Sequence, residues 1–347
     1  MSRSTPLGGL AGALGLEIPT VAAPMAGGPG TPELVVAAAA AGGIGFLAAG
    51  YKSAHQLAEQ ITQVRASTPR FGVNLFVPNP VPVDPAAYRD YLDLLRPWAD
   101  RFGVELPERP LEDDDAWREK HQLLVDNPVP VVSLTFGLPE RESIASLQRA
   151  GSRVLQTVTS AAEALRAEAV GVDGLIVQSS QAGGHSGSWT PRRHSDETTT
   201  VALVRRIRAV SSRPIWAAGG IVSASDVQQV LTAGAEAAII GTALLRTPES
   251  GAHPVHQQAL ADAHGGETVM TRAFSGRPAR GLRNAFTDEF SAAAPLGFPA
   301  LHHLTSPLRR ASAAAGDPAG LNLWAGTGWR AATTEPTGEV LRRLAAR

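Results

Sequence analysis

The feature that most constrains this chain is a recurrence. A short apolar run, a turn bearing Gly or Pro and an Ala-rich helical segment follow one another eight times, which is the order expected of βα units feeding a parallel sheet. The expected strands are residues 20–24, 44–48, 71–76, 129–134, 153–158, 174–177, 214–217 and 237–240. Most are continuously apolar rather than alternating, as strands covered on both faces are. The intervening helices open on caps: Thr31-Pro32 with Glu33, Ser160 with Glu163, and Ser223 and Ser225 with Asp226. Eight such units predict an α/β fold, a (β/α)₈ TIM barrel, and the 347 residues exceed the roughly 250 that a plain barrel needs.

Three regions hold the excess. Residues 78–127 carry several prolines, a helical stretch AAYRDYLDLLRPWADRF and the acidic Asp113–Asp115, and read as an inserted helical segment. The Asp run itself is most simply a solvated loop or helix cap. The loop from Gln178 to Thr198 is long, polar and Gly-rich, and long ordered loops are usually functional. Beyond about Pro248 the strand pattern stops, and TRAFSGRPARGLRN and HHLTSPLRRASAAAG read as helices. The expected division is therefore a barrel over 1–247, with its insertion at about 78–127, and a small C-terminal helical subdomain over 248–347 packed on the barrel mouth.

Net charge is −1 with a near-neutral pI, so no global field draws the chain to nucleic acid or anionic lipid. A small-molecule partner is expected. With no cysteine, disulfides, thiolate metal sites and a cysteine nucleophile are excluded, and His, Ser, Tyr or a cofactor must supply the chemistry. The run LGGLAGALGL after Arg3 is a poor signal peptide, being Gly-rich and reaching Glu17 before a cleavage pattern, so a cytoplasmic location is expected. The uncharged stretch from Leu34 to Gly50 is short for a membrane span and broken by Gly42-Gly43; helix, turn and buried strand explain it better.

In a parallel barrel the functional groups come from loops at the C-terminal strand ends, with phosphate commonly held after the seventh and eighth strands. Glycine-bearing segments fall there: QSSQAGGHSG with Gly183, Gly184 and Gly187 after the sixth strand, AAGGI with Gly219 and Gly220 after the seventh, and IGT with Gly241 and Thr242 after the eighth. Glycine lets backbone amides approach an anion closely, and the latter two segments open helices whose N-termini favour negative charge. Gly219, Gly220, Gly241 and Thr242 therefore suggest a phosphate seat. Asn74 and Gln178, at the ends of the third and sixth strands, offer amides that suit the edge of an isoalloxazine ring, unless they only satisfy loop backbone. Among nine histidines, His185 is set apart by crowding glycines and a strand-end loop, and an imidazole there suits proton abstraction or anion stabilisation.

Other signals carry less. Gly43-Ile-Gly45-Phe-Leu-Ala48 matches a loose dinucleotide fingerprint, but its glycines precede a strand instead of following one. His253 and His256, with Asp262 and His264 nearby, have metal-like spacing; a solvated helix accounts for them, and no metal is expected. Neither a G-x-S-x-G elbow nor a P-loop is present.

Taken in order, APMAGG, AAAGGIGFLAAG, FGVNLFVP, QSSQAGGHSG, AAGGI and IIGTALLRTPES followed by TRAFSGRPARGLRN resemble the nitronate monooxygenases, formerly called 2-nitropropane dioxygenases. The resemblance implies an FMN-containing barrel in which His185 is catalytic, with FMN contacts at Pro24, Met25, Asn74, Gln178, Gly183, Gly184, Gly219, Gly220, Gly241 and Thr242. It also brings His302, His303, Trp324 and Thr327 in the tail to the substrate side. One departure is Gln181, where the family usually has a glutamate before AGGH. The implied reaction is oxidation of alkyl nitronates by O₂ to a carbonyl compound and nitrite, with His185 stabilising the anion or first deprotonating a nitroalkane. The rivals are an NAD(P)H-dependent flavin reductase of quinones or enoyl thioesters, and a catalytically silent flavin- or phosphate-ligand-binding protein. The partners expected are a small substrate and O₂, with no nucleic acid or membrane; a homodimer is left open.

Overall fold

A computed structural model describes residues 7–192, 198–262 and 266–346. All eight expected barrel strands are present, with ends shifted by at most two residues. They are β1 (Thr20–Ala22), β2 (Ile44–Ala48), β3 (Phe71–Phe76), β4 (Val131–Thr135), β5 (Arg153–Val158), β6 (Gly174–Gln178), then β8 (Ile215–Ala218) and β9 (Ala237–Ile240), with β7 (Gly184–His185) lying outside the barrel between them in sequence. The eight pair in parallel and in chain order, and β9 returns to β1 through Val21↔Ile239, closing the ring. Closure removes both sheet edges, and the packed interior and the outer helices cover the two faces of the strands, as the continuous apolar runs require.

The barrel interior is filled from below. Trp216 packs edge-on to Phe46 at 6.1 Å, and a Cβ on Gly72 would lie 2.3 Å from the Phe46 ring, so glycine there makes room for the phenyl group. Leu10 and Ala11 of the N-terminal helix Gly9–Ala13, with Leu16 just beyond it, complete this inner cluster. Glu236, just before β9, accepts from the free amides of Leu10 (2.9 Å) and Ala11 (3.1 Å), fixing the plug by capping its first turn. Outside the strands, a continuous apolar shell joins them to the flanking helices.

The expected caps hold at each site: Thr31 accepts from Leu34 N, Ser160 from Glu163 N, and Ser223 forms a reciprocal box with Asp226. Removing one such cap costs about 1 kcal/mol. The apolar stretch read as helix, turn and strand is the helix Pro32–Ala40, a turn through Gly42 and β2.

The insertion splits in two. Its second helix, Trp117–Asp126, packs beside β3 as part of the barrel wall. Its first, Pro85–Phe102, leaves the barrel and packs on the helix Ala300–Ala314 around a separate core built on Tyr91, Trp98, Phe286 and Phe290. The tail departs from its all-helical reading. Residues 268–271 and 279–282 form β10 (Thr268–Thr271) and β11 (Ala279–Leu282), which with β7 make a three-stranded sheet in the order β10, β11, β7. These strands are four residues or shorter, and β7 and β11 pair only after a long excursion, so no local periodicity announces them. The last helix, Thr337–Ala345, returns to pack on β1 and the helix Pro32–Ala40.

Candidate active site

The C-terminal strand ends and the tail enclose a cavity of about 330 Å³. Its walls include Pro24 and Met25 after β1, Asn74 of β3, Gln178 at the end of β6, Gly183, Gly184 and His185 in the loop after it, Gly219 and Gly220 after β8, and Gly241 and Thr242 after β9. The tail adds Ser275, His302, Arg309, Asn322, Trp324 and Gly326. Of the residues expected on the substrate side, His302 and Trp324 line this cavity. His303 does not; it pairs with Asp113 at 2.6 Å. Thr327 borders a neighbouring cleft with Gln181 and Arg280, because it sits behind Gly220, within 3.0 Å of where a Cβ would be. His253 and His256 also line the cavity, whereas His264 lies outside the described residues.

The glycines at one end leave a cradle. A Cβ on Gly183 would meet Gly326 N at 2.5 Å, and Gly219 and Gly220 have φ of 120° and 65°, which side chains rarely adopt. Thr242 Oγ1 accepts from Gly326 N at 2.9 Å, so its own proton is free for a further acceptor. Asn74 Nδ2 is used up on Ser133 and Thr135, which leaves Oδ1 without a partner among the described residues. Gln178 differs: Oε1 accepts from Gly187 N (2.6 Å) and Nε2 donates to the His185 carbonyl (3.3 Å), so this amide fastens the histidine loop. Gln181 Oε1 accepts from Thr200 N at 3.1 Å, placing the neutral side chain against the start of the next helix, away from the imidazole.

His185 is presented by β7, whose pairing with Ala279 of β11 ties it to the tail. Its ring lies among Phe136, Phe298 and Trp324 at 5.8, 5.7 and 5.5 Å, and Nε2 is 2.8 Å from Ser275 Oγ. Burial, then the charges of Arg277 and Arg309, pull its pKa down to about 3, so the imidazole is neutral at physiological pH. Arg277 is itself buried over the Phe136 ring, 4.0 Å from its centroid, with Nε and Nη2 on the Ser186 and Ser188 carbonyls and Nη1 unpartnered. Desolvation lowers it to about 9.

Several cavity residues escaped the sequence reading. Tyr51 lies in the loop three residues beyond the end of β2, a position that gave a usable signal; Ser275, Asn322 and Arg309 lie in the tail and gave none. The acidic run also proves to be more than a solvated loop. Asp115 Oδ1 accepts from the Tyr51 amide at 2.8 Å and pairs with the buried Lys120 at 2.8 Å. The reason is topological, since the insertion folds back over the mouth.

The family model for nitronate monooxygenase matches residues 12–346. A protein of Staphylococcus aureus (strain Newman) named probable nitronate monooxygenase is 34% identical over 336 residues, covering 95% of this chain and 94% of its own. Among solved structures, the nitroalkane oxidase from Streptomyces ansochromogenes is 44% identical with a TM-score of 0.90, covering 95% of both chains. FabK from Thermotoga maritima is 26% identical with a TM-score of 0.72, covering 96% of this chain and 93% of its own.

Proposed function

The chain belongs to the nitronate monooxygenase family, and from that premise we propose that it oxidises alkyl nitronates, and nitroalkanes after deprotonation, using bound FMN and O₂ to give a carbonyl compound and nitrite. The observation that carries the reading is a neutral His185 on the wall of a cavity that is also lined by a glycine cradle.

The residues present fit FMN. A phosphate would sit against Gly219, Gly220, Gly241 and the Thr242 hydroxyl, and the free Oδ1 of Asn74 suits a flavin N–H. Bound FMN would supply the electron-accepting ring. The protein's own part is electrostatic and geometric. A nitronate already carries the electron-rich carbon, so the cavity need only orient it and hold its charge. Arg277 and Arg309 make the interior electropositive, and aromatic rings around His185 exclude water. For a neutral nitroalkane, the neutral His185 imidazole removes the α-proton, and the same two guanidiniums favour the anion that results. A base held this far below its ordinary pKa is weak, so proton abstraction is the harder of its two tasks and the preformed nitronate the better substrate.

The likeness to FabK keeps a reductase as the competing reading. Anaerobic mixing of the oxidised flavoprotein with propionate 3-nitronate, NADH and NADPH separates the two. Rapid bleaching by the nitronate alone supports the proposal; bleaching by a nicotinamide nucleotide alone supports the reductase, and bleaching by none of them a silent binder. No helix among the described residues is long and apolar enough to cross a membrane.

A further inference from the structure

At the mouth of β2 lies a group that the chemistry above does not use. The Tyr51 hydroxyl is shut off from solvent and has no hydrogen-bond partner, although the residue lines the cavity. Its backbone is held at φ 65°, a conformation that non-glycine residues adopt rarely and that persists only when the surroundings enforce it. Here the Asp115 carboxylate enforces it through the Tyr51 amide, and Lys120 in turn holds Asp115. The ring is stacked on His302, with centroids 4.1 Å apart and planes 3° from parallel, and meets Phe76 edge-on. Four elements thus fix the Tyr51 ring on the cavity wall and leave its O–H unsatisfied.

Arg309 meets the same His302 ring on which Tyr51 stacks, its Nη2 lying 3.3 Å from His302 Nδ1. It too lines the cavity, and its partners are Thr305 Oγ1, Asn322 Oδ1, His302 Nδ1 and the His302 carbonyl, all neutral. No carboxylate pairs with it among the described residues, while the nearby Asp115 and Asp113 are engaged by Lys120 and His303. A desolvated guanidinium without an anion, beside a hydroxyl without an acceptor, is a costly arrangement in the free protein. One oxyanion would relieve both.

We propose that the Tyr51 hydroxyl and the Arg309 guanidinium form an oxyanion-binding pole for the substrate, making Tyr51 a specificity-determining residue. The inference rests on the nitronate reading for its substrate but not for its anion. The oxygens bound there belong either to the nitronate group or to a carboxylate on the same molecule, and both offer the same planar pair of acceptors.

The test uses the FMN-loaded protein and Tyr51→Phe, which removes the hydroxyl but keeps the ring on His302. Steady-state kinetics with ethylnitronate and propionate 3-nitronate should show KM rising about tenfold to a hundredfold, the effect of one hydrogen bond to a charged group, with little change in kcat. An equal rise for both substrates assigns the nitronate oxygens to the pole; a rise for propionate 3-nitronate alone assigns the carboxylate. Calorimetric titration with nitrate reads the pole without turnover. Wild type should bind it and Tyr51→Phe and Arg309→Met should bind it at least tenfold more weakly, with Arg309→Lys retaining part of the affinity. Should wild type oxidise neither nitronate, the reaction assigned above fails while the nitrate titration still decides the pole. Unchanged KM for both nitronates, or nitrate affinity indifferent to Tyr51→Phe, overturns it.

Discussion

His185 Nε2 and Ser275 Oγ face each other across 2.8 Å, although 90 residues separate them in sequence. Ser275 Oγ is also 3.3 Å from the Arg277 carbonyl, so the hydroxyl proton has two acceptors in reach and the imidazole nitrogen one fixed neighbour. The serine positions the ring that β7 presents. Ser275→Ala should lower kcat/KM for a neutral nitroalkane about twofold to tenfold, the worth of one neutral hydrogen bond, and should affect a preformed nitronate less. Equal losses on both substrates would assign the serine to general packing instead.

His185→Asn tests the base directly. It keeps a polar side chain of similar reach but removes the imidazole, so FMN should stay bound while nitroalkane turnover falls by about a hundredfold or more. Stopped-flow reduction of the flavin by nitroalkane and by nitronate separates deprotonation from later steps. Unchanged nitroalkane turnover would remove the base role from His185.

The cofactor seat predicts both identity and affinity. Thr242→Val nearly preserves shape but deletes a hydroxyl that accepts from Gly326 N and has its own proton free. Flavin affinity should fall by about tenfold to a hundredfold in equilibrium titration of the apoprotein. Flavin released by heat should be FMN, since no second fingerprint is available for an adenylate. Release of FAD, or a dissociation constant unmoved by the substitution, would sink the seat.

Gly183 is a steric prediction. A methyl group there would come within 2.5 Å of Gly326 N and 2.6 Å of the Ala325 carbonyl carbon, both backbone atoms of the tail segment that closes the cavity. Gly183→Ala should therefore displace that segment and weaken flavin binding, with a stability loss of about 1–3 kcal/mol in chemical denaturation. Wild-type affinity and stability together would show that the tail yields freely.

Part of the pH dependence of stability comes from His256, which is buried with Nε2 unpartnered, alongside His185 and His302, whose pKa values are also lowered. Burial lowers its pKa to about 4 from 6.5, against a raising hydrogen bond to the Trp324 backbone. The unfolded chain takes up a proton near pH 6.5 that the folded chain refuses until about pH 4. This contribution is therefore fully present above pH 6.5 and is lost as pH falls toward 4, by at most about 1.4 kcal/mol per pH unit. Urea midpoints of the apoprotein at about pH 7 and about pH 5 should differ more for wild type than for His256→Phe. Identical differences would mean that other groups carry the acid sensitivity.

What the sequence determined by itself is the barrel and its rim. Eight strands buried on both faces must be written as continuous apolar runs, and helix starts must be capped locally, so both signals sit within a few residues and can be read without the fold. Because the barrel brings every strand end to one face, Asn74, His185 and the glycines after β6, β8 and β9 could be grouped at one mouth by topology alone. Tertiary structure decided everything that depends on contact between distant segments. The strands β7 and β11 are too short to show a period and exist through their pairing with each other. His303 turns to Asp113, while Ser275 and Arg309 reach the cavity from the tail and Asp115 holds Tyr51 from the insertion. The direction of a side chain across such a gap is set by packing between segments, which no local pattern encodes.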